Sequence, residues 1–141
     1  MATAVKAHVA GADFFFSVAA VADYTPVATS SRKLKKSAEP MELKLKPTED
    51  ILAYVAALPK GPFCVGFAAE SENLAQNAKA KLAKKKLPLI VGNLAQEAMG
   101  RDDSAITLYD AKGEHPLGHG PKLELARKLV EHVAGRLPHR K

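Results

Sequence analysis

The stretch that decides the fold is Asp13–Lys36, DFFFSVAAVADYTPVATSSRKLKK. Its first part, Phe14–Val21, is short, continuously apolar and rich in aromatic and β-branched residues, the pattern of a strand buried on both faces in a parallel sheet. Ala22-Asp23-Tyr24-Thr25-Pro26 breaks the run, and Pro26 is expected to end pairing there. A small polar loop, Ala28–Ser31, leads into a knot of charge, Arg32-Lys33-Leu34-Lys35-Lys36. A strand that delivers one carboxylate, Asp23, at its carboxyl end, followed by a basic loop, suits a phosphate-bearing ligand. In open α/β sheets ligands sit beyond the carboxyl ends of the strands.

Upstream, Met1, Val5 and Val9 share one helical face, and Gly11 closes that segment. Downstream, Met41–Lys46 alternates apolar with polar residues and predicts a half-exposed strand. Leu34 lies in a similar context, so the two segments are expected to pair as a ribbon projecting from the body, with residues 24–46 forming a lid. Thr48 is the expected N-cap of a helix with Glu49 and Asp50 in its first turn and Ile51, Leu52, Val55 and Leu58 on its buried face. Pro59-Lys60-Gly61-Pro62 stops it.

Phe63–Ala69 predicts a second buried strand, ending at Glu70, with Ser71 able to cap the helix that follows. That helix carries an apolar stripe of Leu74, Ala75, Ala78 and Leu82, flanked by Lys81 and Lys85 four residues apart. Leu87–Gly92 predicts a third buried strand ending at Asn93. After a polar connection, Leu94–Ser104, the segments Ala105–Tyr109 and His115–Leu117 flank the turn-forming Lys112-Gly113 and predict a hairpin. A last helix follows Gly120-Pro121, with Leu123, Ala126, Leu129, Val130 and Val133 inward, and the tail Pro138–Lys141 is expected to fray. Three apolar strands separated by helical patterns imply a Rossmann-like parallel α/β sheet with flanking helices and right-handed crossovers.

The chain has 141 residues, room for one domain (1–141) and a real core. A net charge of +6 implies a polyanionic partner, which a nucleoside triphosphate satisfies as well as a nucleic acid does. Cys64 is the single cysteine, so an intrachain disulfide and a thiolate cluster are both excluded. No run approaches the ~18 to 20 apolar residues of a membrane span, and a cytoplasmic location is the expectation.

The sequence has no GxGxxG, GxxxxGK[ST] or HExxH motif, which leaves a dinucleotide fingerprint, a Walker loop and a zincin without support. His115 and His119 lie near Gly and Pro, as solvated loop histidines would. Cys64 sits in an apolar strand with no base beside it, which fits an inert core thiol. Arg32–Lys36 and Lys79–Lys86 both follow strand ends. Converging on a triphosphate, they would neutralise charge developed in phosphoryl or nucleotidyl displacement. Asp23 is the carboxylate placed to hold magnesium or a ligand hydroxyl.

Six segments occur in the order found in phosphopantothenoylcysteine synthetase, and the sequence resembles that family nearly end to end. They are AAVADYTP (Ala19–Pro26), KLKK (Lys33–Lys36), TEDIL (Thr48–Leu52), VGFAAE (Val65–Glu70), the pair Lys81/Lys85, and IVGN (Ile90–Asn93). The resemblance implies a modified Rossmann-like fold, a homodimer, and ligation of 4'-phosphopantothenate to L-cysteine using CTP and magnesium. An acyl-cytidylate forms first, and the cysteine amine then displaces CMP. By motif, Ser17, Val18 and Ala19 line the nucleotide pocket and Asp23 contacts the nucleotide. Lys33 is the lid lysine that stabilises charge during acyl-cytidylate formation. Glu49, Asp50, Ile51 and Leu52, with Phe67, Lys81 and Lys85, complete the CTP site, and Asn93 is a substrate or shape residue.

The sequence departs from the family in three places. Asn-Pro-Asp-Ile is replaced by Thr48-Glu49-Asp50-Ile51, which puts a carboxylate near the nucleotide. Thr25 stands where Arg is common. The family's first βα unit, with its NxSSGxMG segment, has no counterpart, nor has the FMN-dependent decarboxylase half. The resemblance therefore implies the C-terminal portion of a synthetase, unable to complete ligation alone. Two other readings stand beside it. One is a nucleotide-binding or structural module without catalysis. The other is a nucleic-acid-binding domain, which rests on charge alone and lacks a reading helix or interleaved aromatics.

Overall fold

The computed structural model describes residues 1–36 and 38–136, the side chain of Glu97 excepted. The tail expected to fray lies outside them. Five strands form one mixed sheet in the order β1 (Phe14–Ser17), β4 (Phe63–Glu70), β5 (Leu89–Leu94), β6 (Asp103–Asp110) and β7 (Gly113–Pro121). β1, β4 and β5 run parallel, while β6 and β7 add antiparallel. A separate two-stranded ribbon pairs β2 (Tyr24–Pro26) with β3 (Leu45–Pro47).

Side-chain alternation divides the core into two layers. Cys64, Ala68, Ile90 and Tyr109 pack under α1 (Ala2–His8), α2 (Ile51–Ala56) and α3 (Leu74–Lys85), through Val9, Ile51, Leu52, Val55 and Ala78. Val65, Leu89, Val91 and Leu108 pack on the opposite face beneath Leu129 and Val133 of α5 (Lys122–Ala134). Two glycines let the first layer close. A Cβ on Gly66 would come within 2.8 Å of Ile90 Cδ1, and one on Gly92 within 2.7 Å of Tyr109 Cε2.

The structure corrects several expectations. The first strand spans only Phe14–Ser17, lies at the sheet edge, and is half-buried rather than buried. Val18 and Val21 are exposed because the chain leaves the sheet at Ser17. Pro26 does not end pairing. Backbone bonds from Val27 N to Lys44 O and from Thr48 N to Asp23 O set the register, so Pro26 and Pro47 both fall at positions where the ribbon needs no N–H. Tyr24–Pro26, not the Leu34 segment, is therefore the partner strand. Met41 and Leu43 are exposed outside any strand, because β3 begins only at Leu45.

The helix caps also shift. Asp50, not Thr48, caps α2 by accepting the Ala53 N–H at 3.0 Å, while the Thr48 hydroxyl donates to Ala22 O. Ser71 is not the cap of α3, which begins after Asn73 in a left-handed conformation. There Asn77 Nδ2 donates to Glu70 and to the Glu72 carbonyl. A short helix, α4 (Ala95–Ala98), interrupts the connection expected over Leu94–Ser104. In α5 the buried face is Leu125, Leu129 and Val133, whereas Leu123, Ala126 and Val130 are exposed. An unbroken i, i+4, i+8 line of apolar residues meets the sheet better than the mixed stripe expected.

Candidate functional site

A pocket of about 650 Å³ opens at the carboxyl ends of β1 and β4, on the face covered by α2 and α3. Three segments build it. Where the chain leaves β1 it supplies Ser17, Val18, Ala19 and, a little later, Asp23. The start of α2 supplies Glu49, Asp50, Ile51 and Leu52. Phe67 from β4 and Lys81 and Lys85 from α3 complete it. Strand parity explains part of this gathering: Phe14 and Phe16 pack on the α5 side and Phe15 on the other, which turns Ser17 towards α2 and α3.

The two lysines stand one helical turn apart on the same face of α3. Lys81 Nζ donates to the Phe67 carbonyl in the second half of β4. Burial is the main cause that lowers its pKa, helped by Lys85 and opposed by Glu70, Asp50 and Asp23. Lys85 Nζ pairs with Asp50 Oδ2 at 2.7 Å. For Asp50, burial raises the pKa, but hydrogen bonds from Lys85 and from the Ala53 N–H outweigh it and hold the carboxyl below its usual range. Glu49 is bound by Lys6 of α1 at 2.6 Å. The pocket thus carries three carboxylates, two of which have lysine partners, beside the half-buried Lys81 and an aromatic ring.

Two residues expected at the site stand elsewhere. Lys33 is exposed in the irregular stretch between β2 and β3 and does not line the pocket. Of the two basic runs expected to converge, α3 supplies the cations that reach the pocket. Asn93 follows Val91 on the α5 side of β5 and lines a second, apolar cavity of about 460 Å³ with Phe16, Ile106 and Leu129. Phe67 and Val18 border both cavities. Tyr24, Pro47, Thr48 and Ala69 also line the strand-end pocket, which their sequence context does not announce. Tyr24, Pro47 and Thr48 are there because the ribbon folds its base over the opening, a long-range pairing that leaves no local signal. Lys6, outside the lining, reaches Glu49 from α1 by another long-range contact without a local signal.

His115 and His119 are strand residues, not loop residues. His115 lies in β7 with Nε2 3.1 Å from Asp110 Oδ1, and His119 faces Asp103 at 3.4 Å. Cys64 is buried, and burial pushes its thiol pKa up. Among the described residues no cluster of three or more His, Cys, Asp or Glu is arranged to hold a metal by itself, and no helix is long and apolar enough to cross a membrane.

Fold and pocket together define an α/β domain with a cation-bearing pocket at its strand ends. The chain belongs to the family described as DNA/pantothenate metabolism flavoprotein C-terminal domain, which matches residues 1–137. It is 45% identical over 137 residues to the coenzyme A biosynthesis bifunctional protein CoaBC of Vibrio parahaemolyticus, covering 93% of this chain and 34% of that protein. CoaBC of Escherichia coli is 35% identical over 143 residues, covering 96% and 35% respectively. The chain thus spans about a third of the length of these curated relatives. Among solved structures it resembles the C-terminal domain of CoaBC with a TM-score of 0.73 and 28% identity, covering 94% of this chain and 58% of that one. The same fold recurs in a Streptococcus pneumoniae DNA/pantothenate metabolism flavoprotein, at a TM-score of 0.78, 21% identity and coverage of 96% and 68%.

Proposed function

We propose that the pocket binds CTP, and that this chain is the nucleotide-handling part of a ligase joining 4'-phosphopantothenate to L-cysteine in coenzyme A biosynthesis. The observation that carries the reading is the gathering of Ser17–Ala19, Asp23, Glu49–Leu52, Phe67, Lys81 and Lys85 in one strand-end pocket. The names of the relatives support the pathway.

In the proposed reaction the phosphopantothenate carboxylate attacks the α-phosphorus. A carboxyl O–P bond forms, the bridging P–O bond breaks, and pyrophosphate leaves. The cysteine amine then attacks the acyl carbon, CMP departs with the C–O bond electrons, and the amine proton passes to solvent. Lys81 and Lys85 offer donors to phosphate oxygens as negative charge shifts towards the leaving group. Phe67 presents a ring edge and face for the base. The donor set fits magnesium in the way that metal usually accompanies nucleotides. Asp23, the carboxylate not held by Lys6 or Lys85, would supply one ligand, and phosphate oxygens and waters the others. Magnesium would offset phosphate charge. Lys33, on its exposed loop, is assigned the lid role, closing over the phosphates and excluding water only when phosphopantothenate is also bound and the acyl-cytidylate forms, not on binding CTP alone.

The reading is tested by calorimetric titration of magnesium–CTP into the chain, with ATP as the comparison. Saturable binding that prefers CTP is expected. Absence of binding at millimolar CTP would count against it. Ligation itself is read by a turnover assay with CTP, phosphopantothenate and cysteine, in which pyrophosphate release reports the first half-reaction and CMP release the second. A homodimer is part of the same reading and would appear in sedimentation.

A further inference from the structure

Three carboxylates around one pocket would repel a phosphate chain unless they were neutralised. Asp23 is free to meet a metal, and Asp50 is paired from within the pocket by Lys85. Glu49 is paired from outside. Its partner, Lys6, belongs to α1, which contributes no residue to the pocket wall. Two contacts hold the Lys6 ammonium: Glu49 Oε1 at 2.6 Å and the face of the Tyr54 ring, whose centroid is 4.6 Å away. The helix is itself anchored by Val9, which is buried, and by Ala2 and Val5 against the α2–α3 layer. Lys6 is therefore a cation placed at the rim by a packed helix.

We propose that Lys6 is a positioning residue of the phosphate pocket, holding the Glu49 carboxylate in a neutral pair so that the site accepts a polyanionic chain. This rests on the reading of the pocket as a nucleotide site and extends it to a residue outside the lining. As an exposed pair, Lys6–Glu49 adds little to folding stability. Its effect on a ligand carrying several negative charges is larger, because removing the lysine restores a full negative charge beside each of them.

The test is titration of magnesium–CTP and of inorganic tripolyphosphate into wild type, Lys6→Ala, Glu49→Gln and the double variant, at about 0.05 M and about 1 M salt. At the higher concentration the screening length falls to about 3 Å. Lys6→Ala is expected to weaken both probes about three- to tenfold at low salt, and the gap is expected to close at high salt. Glu49→Gln on the Lys6→Ala background is expected to restore wild-type affinity or better, with the melting temperature nearly constant throughout. Unchanged low-salt binding by Lys6→Ala overturns the inference. So does a double variant as weak as Lys6→Ala, since Lys6 would then act by docking α1. Wild-type protein that binds neither probe overturns the nucleotide reading itself, and the inference with it.

Discussion

Lys85 reaches from α3 to the Asp50 carboxylate at 2.7 Å, and that carboxylate also accepts the Ala53 N–H that opens α2. One acidic side chain thus caps a helix and anchors a pocket lysine. Asp50→Ala is expected to cost about 1 kcal/mol through the lost cap, measured by urea unfolding. Lys85→Met is expected to cost less in stability, since the pair is partly exposed. It should nevertheless weaken CTP binding about tenfold or more, because it removes a phosphate donor and leaves Asp50 charged and unpaired.

Lys33→Ala offers a contrast with Lys85→Met. Lys33 is exposed and away from the pocket wall. CTP affinity of this chain is expected to change by less than about threefold, the effect of one distant, screened charge. A larger loss in titration would mean that the loop closes on the nucleotide in the bound state.

At the other end of the sheet, the Asp110 side chain is 2% exposed and accepts from Arg136, from His115 Nε2 and from the backbone N–H groups of Lys112 and Gly113. Burial raises its pKa, but the hydrogen bonds from Arg136 and His115 win and hold it well below the usual carboxylate range. Arg136 also donates to His132 Nε2 at 2.8 Å. The His132 pKa is lowered, first by burial and then by the charge of Arg136 and by His115. Both signs point the same way. The unfolded chain takes up protons first at each group, so stability is full at neutral pH and falls on acidification. The His132 part is lost from about pH 6.5 downwards and the Asp110 part from about pH 4 downwards. His132→Gln should flatten the upper phase of a stability–pH profile. Asp110→Ala should cost about 3 kcal/mol at neutral pH and remove the lower phase.

The facing of α5 gives a paired comparison. Leu129→Ala, in the layer with Leu89 and Val133, is expected to cost about 2–4 kcal/mol in chemical unfolding. Val130→Ala, on the exposed side, should stay within about 0.5 kcal/mol.

Gly92→Ala is expected to destabilise by about 1–3 kcal/mol, since its Cβ would overlap Tyr109 and press on Leu74. The damage should appear in thermal melting without a selective loss of CTP over ATP, because the clash lies in the core layer.

What the sequence made legible, and what it did not, follows from how local each signal is. Phe63–Ala69 and Leu87–Gly92 read as strands because central strands are apolar on both faces, and the structure has β4 and β5 there. Phe14–Val21 looked the same, but Val18 and Val21 are apolar for another reason: Val18 is wall material for two cavities and Val21 for one. Composition does not separate a strand from a pocket lip. Ser17, Asp23, Phe67, Lys81 and Lys85 converge because short motifs at strand ends and one helical turn carry them. Lys33 and Asn93 do not join them. A loop's closed position is not written in its residues, and Asn93 falls on the other side of the sheet by the parity of a single step. On α5 the expected Leu129 and Val133 are buried, but Leu125 takes the third place, because Leu123, Ala126 and Val130 offer an almost equally apolar stripe and only the sheet beneath decides between the two.

The ribbon has a consequence for association. Where residues face away from the partner strand, an ordinary two-stranded ribbon presents N–H groups on both outer edges, to which a third strand can add. Here Pro26 takes one such position on one edge and Pro47 takes one on the other. Each edge lacks a donor where recruitment would begin. The exposed, lysine-bearing arm is therefore poorly suited to templating a third strand, and can meet other molecules without polymerising through its own backbone.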